Sequence, residues 1–143
     1  MCMSFKIEDI IAFWKMIKPV KTLEAKANVR QAVTVMTERE IDCLIIVKDE
    51  RPVGIITERD MLGRVLLEAK DPTTTKVSQI MSTPLVLGQP QMNVQDAVRL
   101  MVEKQIKNLP ITENGRLVGL ITLPDLARSI AYLDHISSKL NDN

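Results

Sequence analysis

The sequence predicts a mixed α/β (α+β) fold: two tandem β-α-β-β-α repeats, preceded by an N-terminal helix. Three observations predict it. The stretch Val53-Gly54-Ile55-Ile56-Thr57-Glu58-Arg59-Asp60 returns sixty-five residues later as Val118-Gly119-Leu120-Ile121-Thr122-Leu123-Pro124-Asp125. The same offset pairs Met16 with Met81, Pro19 with Pro84, Asn28-Val29 with Asn93-Val94, Met36 with Met101 and Arg51 with Arg116 without a gap, which marks two copies of one supersecondary unit. Within each copy, apolar residues at helical spacing alternate with short apolar runs of strand length.

Residues 1–17 carry Ile7, Ile10, Ile11, Trp14 and Ile17 on one helical face, with Ser4 as N-cap and Phe13 off the stripe, an amphipathic helix that packs on a core or on a partner. The first repeat spans 18–69. It opens with an extended segment from Pro19 to Thr22. Asn28 then caps a helix with Val29, Ala32, Val33 and Met36 inward, and Gln31 completes a capping box,. A strand over Leu44–Val47, a turn at Asp49-Glu50-Arg51-Pro52 and a second strand lead into Thr57 and a second helix. Residues 70–79, with Asp71-Pro72 and three threonines, form a polar linker,. The second repeat, 80–138, repeats the pattern. It has an extended segment Pro84–Leu87, and Asn93 caps Val94, Ala97, Val98 and Met101 with Asp96 at the box position. A strand over Leu109–Thr112 and the hairpin signal Asn114-Gly115 follow,. The last helix continues its stripe through Leu126, Ile130, Leu133, Ile136 and Leu140 into a short tail, 139–143. That is more apolar face than one repeat needs, and it suggests a second subunit.

Composition narrows the function classes. A chain of 143 residues, 45% apolar and 26% charged, is globular, and its net charge of +1 gives no field toward nucleic acid or an anionic membrane,. No apolar run has bilayer length, and Lys6, Glu8, Asp9 and Lys15 argue against a signal peptide,. Cys2 and Cys43 lack metal spacing, and Cys43 sits in an apolar run as a small core residue,. A cytoplasmic protein is expected. His135, the only histidine, has no partner at ligand spacing, and no nucleophile, general-base or metal set is visible,. The chain is therefore expected not to be an enzyme and to hold no metal. With only four aromatics and no basic stripe, nucleic acid is not expected as a partner,.

Each Thr-x-x-Asp has a structural reading as a capping box, worth roughly 1 kcal/mol. It also has a functional one. A hydroxyl, a helix N-terminus suited to an anion and a carboxylate suited to ribose hydroxyls together form the rim of a nucleotide site.

Those same stretches, with Lys107-Asn108-Leu109-Pro110-Ile111, resemble cystathionine-β-synthase (CBS) domains, and residues 16 to 135 look like a stand-alone CBS pair, or Bateman module. The resemblance implies pseudo-two-fold symmetry and two clefts between the repeats that bind AMP, ADP, ATP or S-adenosylmethionine as a regulatory ligand, with no cofactor required. It implies that Asp60 and Asp125 hold ribose hydroxyls, with Thr57 and Thr122 beside the sugar and phosphate. The Asp60 site would take Pro84 and Val86 against the base, and Lys107 and Asn108 toward phosphate. The Asp125 site would take Pro19 and Lys21, with Arg59 toward phosphate. The resemblance also counts the family's proline, Pro110, among the nucleotide-binding residues; the first copy has Asp42 and Ile45 where the second has Lys107 and Pro110, while Pro124 replaces the basic Arg59. The two sites are therefore expected to be unequal. The function implied is energy sensing by a homodimer that signals to a regulated protein in trans. The alternative is a structural, dimerisation or protein-interaction module with no bound nucleotide.

Overall fold

A continuous apolar run is best satisfied in the middle of a sheet, and Cys43-Leu44-Ile45-Ile46-Val47 takes that place. The computed structural model describes residues 5–10 and 20–142, apart from the side chains at 133 and 136. Two compact units form. One holds Lys21–Leu85 with Gly115–Leu117; the other holds Val86–Asn114 and the described residues from Val118 onward, with residues 5–10 and 20.

In the first unit, β1 (Thr22–Glu24), β2 (Cys43–Lys48) and β3 (Arg51–Thr57) form a sheet in the order β1-β2-β3. Leu23 lies opposite Ile46 in the parallel pair, and Leu44 opposite Ile56 in the antiparallel pair. As the central strand, β2 is buried from Cys43 to Val47. Asp49 and Glu50 turn the hairpin with φ of 51° and 63°, the primed geometry that matches strand twist. The turn is shorter than the sequence pattern suggests. Strand β3 already begins at Arg51, and Pro52 is tolerated where a bulge breaks the register beside Val47,.

Helix α1 (Val29–Glu38) covers the core. The Gln31 N–H donates to the Asn28 side chain and the Asn28 N–H to the Gln31 side chain, each at 2.9 Å, so the capping box closes as expected. Val29, Ala32 and Met36 pack with Leu44, Ile46, Ile56 and Val65, whereas Val33, expected on that face, is 43% exposed. Strand β3 runs into α2 (Glu58–Asp60), which continues as a π-helix over Met61–Leu66. Leu67 and Lys70 donate N–H to the carbonyls of Leu62 and Val65, five residues back, at 2.9 Å each. Such turns are rare and often mark functional positions. In the polar stretch that follows, the hydroxyl and the N–H of Thr73 donate to Asp71 and hold its carboxyl below the usual carboxylate range. Helix α3 (Val77–Ile80) then sinks Val77 and Ile80 into the core.

The second unit holds α4 (Val94–Glu103), the hairpin β4 (Asn108–Glu113) and β5 (Arg116–Thr122), and α5 (Leu123–Asn141). Asn114 and Gly115 turn the hairpin at positive φ. The Asp96 N–H donates to the Asn93 side chain at 2.8 Å, but the Asp96 carboxylate pairs with Arg99 at 3.6 Å, and no reciprocal box forms. No strand forms over Pro84–Leu87. Its remnant is a single bridge, Gly88 opposite Ile111, in the register of Leu23 opposite Ile46. Pro110 supplies the reason. In the first unit the Ile45 N–H donates to the Lys21 carbonyl at 3.4 Å, and at the matching position proline has no N–H to give.

Residues 7–10 form a helical turn that buries Ile7 and Ile10 against Val94, Ala97 and Met101. Val77 and Ile80 play the same part in the first unit. Lys6 donates its N–H to the Asp9 carboxylate and Lys76 to the Gln79 side chain, while Ile7 and Val77 each donate N–H at 2.8 Å, to the carbonyls of Met92 and Ala27. Each unit is thus closed by a Lys-(Ile/Val)-x-x-Ile turn. Ser4, Ile11, Phe13, Trp14 and Ile17 lie outside the described residues.

Gly54 admits the segment behind β3. A Cβ there would overlap the Met81 sulfur and lie 2.7 Å from Met81 Cγ. Gly54→Ala is expected to cost about 1–3 kcal/mol by overpacking. Urea unfolding should show that most of this loss disappears in a Met81→Ala background.

Candidate functional site

Both Thr-x-x-Asp sequences fall at strand-to-helix corners. Thr57 and Thr122 have extended backbone and cap the helices that follow. The first helical N–H is already engaged at each corner: Glu58 donates to the Asp42 carbonyl at 3.1 Å, and Leu123 to the Lys107 carbonyl at 3.0 Å. The third is engaged too, since Asp60 and Asp125 donate N–H to the threonine hydroxyls at 3.4 and 3.1 Å. Of the first three helical N–H groups, this leaves Arg59's at the first corner. At the second it leaves none, because Pro124 has no N–H. The free N–H groups that the sequence pattern suggested for a phosphate are largely spent on the fold. An anion at these corners would be met by side chains.

The two carboxylates differ. Asp60 is 9% exposed. Its Oδ2 accepts the Thr57 N–H at 2.9 Å and the Thr57 hydroxyl at 3.2 Å, and its Oδ1 accepts the Ser82 hydroxyl at 3.3 Å. Arg64 Nη1 lies 3.6 Å from Oδ1 and donates to the Ile80 carbonyl at 2.8 Å. Asp125 is half-buried, and among the described residues no hydrogen bond or ion pair to its carboxylate is found. The Asp60 capping box is closed, while Thr122 and Asp125 make only the Thr122 half.

The remaining site residues fall into both units. Lys21, half-buried before β1, exposed Pro84 and exposed Arg59 lie in the unit of Thr57 and Asp60. Half-buried Val86 and Asn108, exposed Lys107 and buried Pro110 lie in the unit of Thr122 and Asp125, where the Pro110 carbonyl accepts the Gly88 N–H at 2.9 Å. Pro19 is outside the described residues. The sequence had singled out neither Ser82 nor Arg64. Arg64 was legible, standing four residues after Asp60 at the spacing of a helical ion pair. Ser82 arrives only through tertiary structure, by paired backbone hydrogen bonds with Ile55 of 2.8 and 3.2 Å. Among the described residues no cluster of metal-ligating side chains occurs, and no helix is long and apolar enough to cross a membrane.

The sequence profile of the CBS domain matches residues 7–67 and 77–132. The chain belongs to the CBS-domain family. It is 35% identical over 112 residues to the CBS domain-containing protein YhcV of Bacillus subtilis, covering 78% of this chain and 79% of that one. It is 40% identical over 100 residues to an uncharacterized protein of Methanopyrus kandleri, covering 68% of this chain. The chain spans about half (51%) of that relative's length. A hexameric CBS-CP12 protein from bloom-forming cyanobacteria is similar in structure, with a TM-score of 0.78 at 28% identity over 92% of this chain and 75% of that one. CBS-domain proteins are generally regulatory modules, and stand-alone ones are generally non-catalytic.

The unequal carboxylates give unequal stability effects. Asp60→Ala is expected to cost about 1–3 kcal/mol by leaving its donors unpaired, and Asp125→Ala less than about 0.5 kcal/mol. Urea unfolding of the two variants checks the difference.

Proposed function

We propose that this chain is a non-catalytic regulatory module of the cytoplasm. It binds an adenosine nucleotide (AMP, ADP or ATP) or S-adenosylmethionine, and it signals occupancy to a partner protein in trans. The observation that carries this is the half-buried Asp125 carboxylate, held beside Thr122 at a strand-to-helix corner with no partner among the described residues. A carboxylate in that position is a ready acceptor for the paired hydroxyls of a ribose. Membership of the CBS family supports the same reading. With those N–H groups engaged, any phosphate at that corner is left to cationic side chains. A ligand regulates only if it binds two states unequally, so a partner must distinguish the bound form from the free one.

Homodimerisation is part of the proposal. Leu62, Leu66 and Leu67 at the π-helix are 61%, 72% and 83% exposed, and Ile130, Tyr132 and Leu140 are exposed along α5. Apolar surface of this kind suits a subunit contact, and the cyanobacterial relative is described as hexameric. Sedimentation equilibrium at micromolar concentration is expected to give a dimer; a monomer would contradict it.

Thermal unfolding against AMP, ADP, ATP, S-adenosylmethionine and GTP tests the ligand. At 100 times its dissociation constant, one adenosine compound is expected to add about 2.7 kcal/mol of stability. The gain should be lost in Asp125→Ala. No stabilisation by any of them would favour the interaction module without a nucleotide.

A further inference from the structure

We propose that Ser82 and Arg64 form a latch that withholds Asp60 from ligand, so that the first corner is self-occupied and nucleotide binding belongs to the Asp125 corner. This rests on the nucleotide reading above and assigns the site within it. A ribose needs a carboxylate with acceptor capacity facing outward. Asp60 spends one oxygen on the N–H and hydroxyl of Thr57, and the other on the Ser82 hydroxyl with the Arg64 guanidinium beside it. The Ser82 hydroxyl makes the kind of hydrogen bond that a ribose hydroxyl would make. A ligand at this corner must therefore displace a bond the chain already makes to itself, and it gains correspondingly less.

The latch is positioned by the fold, so its cost in conformational entropy is met when the protein folds. Gly54 leaves room for the Met81 side chain, and the backbone of Ser82 pairs with Ile55 in β3. Arg64 projects from the π-helix and ties itself to the Ile80 carbonyl, two residues before Ser82. Arg64 and Ser82 thus converge on one oxygen from two elements. Among the described residues, Asp125 meets no such pair.

Two measurements test this. The first needs no ligand. Ser82→Ala should lower the urea unfolding midpoint in the wild-type chain and leave it unchanged in an Asp60→Ala background; equal shifts in both would overturn the latch. The second is equilibrium dialysis with AMP and with ATP. The wild-type chain is expected to bind one equivalent, and Asp125→Ala none. Adding Ser82→Ala with Arg64→Met to Asp125→Ala is expected to restore one equivalent at the first corner. Two equivalents on the wild-type chain, or no restored binding where the wild type binds, would overturn the assignment. If neither probe binds any variant, the nucleotide reading fails, and the unfolding comparison still decides whether Ser82 and Asp60 are coupled.

Discussion

Each corner of this protein depends on one backbone hydrogen bond, made twice. The first N–H of the helix after the hairpin reaches back to the carbonyl of the residue just before the hairpin, Glu58 to Asp42 and Leu123 to Lys107. That bond fixes where the helix leaves the sheet. It places the threonine cap one residue earlier and the aspartate two residues later, on the inner turn of the corner. It also consumes a donor that a ligand could otherwise have used. The fold and the candidate site therefore compete for the same backbone groups, and the fold takes most of them. What remains for chemistry is carried by side chains, and there the two corners part.

Their difference follows from what each unit brings to its corner. In the first unit the backbone of residues 81–82 lies against β3, made possible by the missing side chain at Gly54, and Ser82 then reaches the Asp60 carboxylate. Arg64, on a helix of π geometry, reaches the same oxygen. A closed network of this kind adds rigidity and removes acceptor capacity together. At the second corner the helix continues as a regular α-helix over Leu123–Asn141, and among the described residues nothing pairs with the carboxylate. One sequence motif thus yields a structural cap in one copy and a candidate binding group in the other.

Much of this was legible in the sequence. The constant offset fixed two copies, the capping signals at Asn28 and Asn93 placed both helices, and the turn chemistry at Asn114-Gly115 placed a hairpin. The parts that were not legible have physical causes. Asp49-Glu50 forms a primed turn without glycine, because the strands on either side impose it. Pro110, taken from the resemblance as a site residue, also removes an N–H and erases the strand expected at Pro84–Leu87. The Lys6–Ile10 turn matches Lys76–Ile80 at an offset of seventy rather than sixty-five, so a search at one offset misses the pairing. The engagement of Asp60 by Ser82 depends on a contact twenty-two residues away in sequence, and no local pattern encodes it.

The most direct test of the central claim is an amide ¹H–¹⁵N titration of the full chain with AMP and with ATP. Saturable shifts are expected at Thr122, Leu123, Asp125 and Leu126, with the amides of Thr57 and Asp60 unmoved. Shifts centred on Thr57 and Asp60, or none at either corner up to millimolar nucleotide, would contradict the assignment of binding to the Asp125 corner.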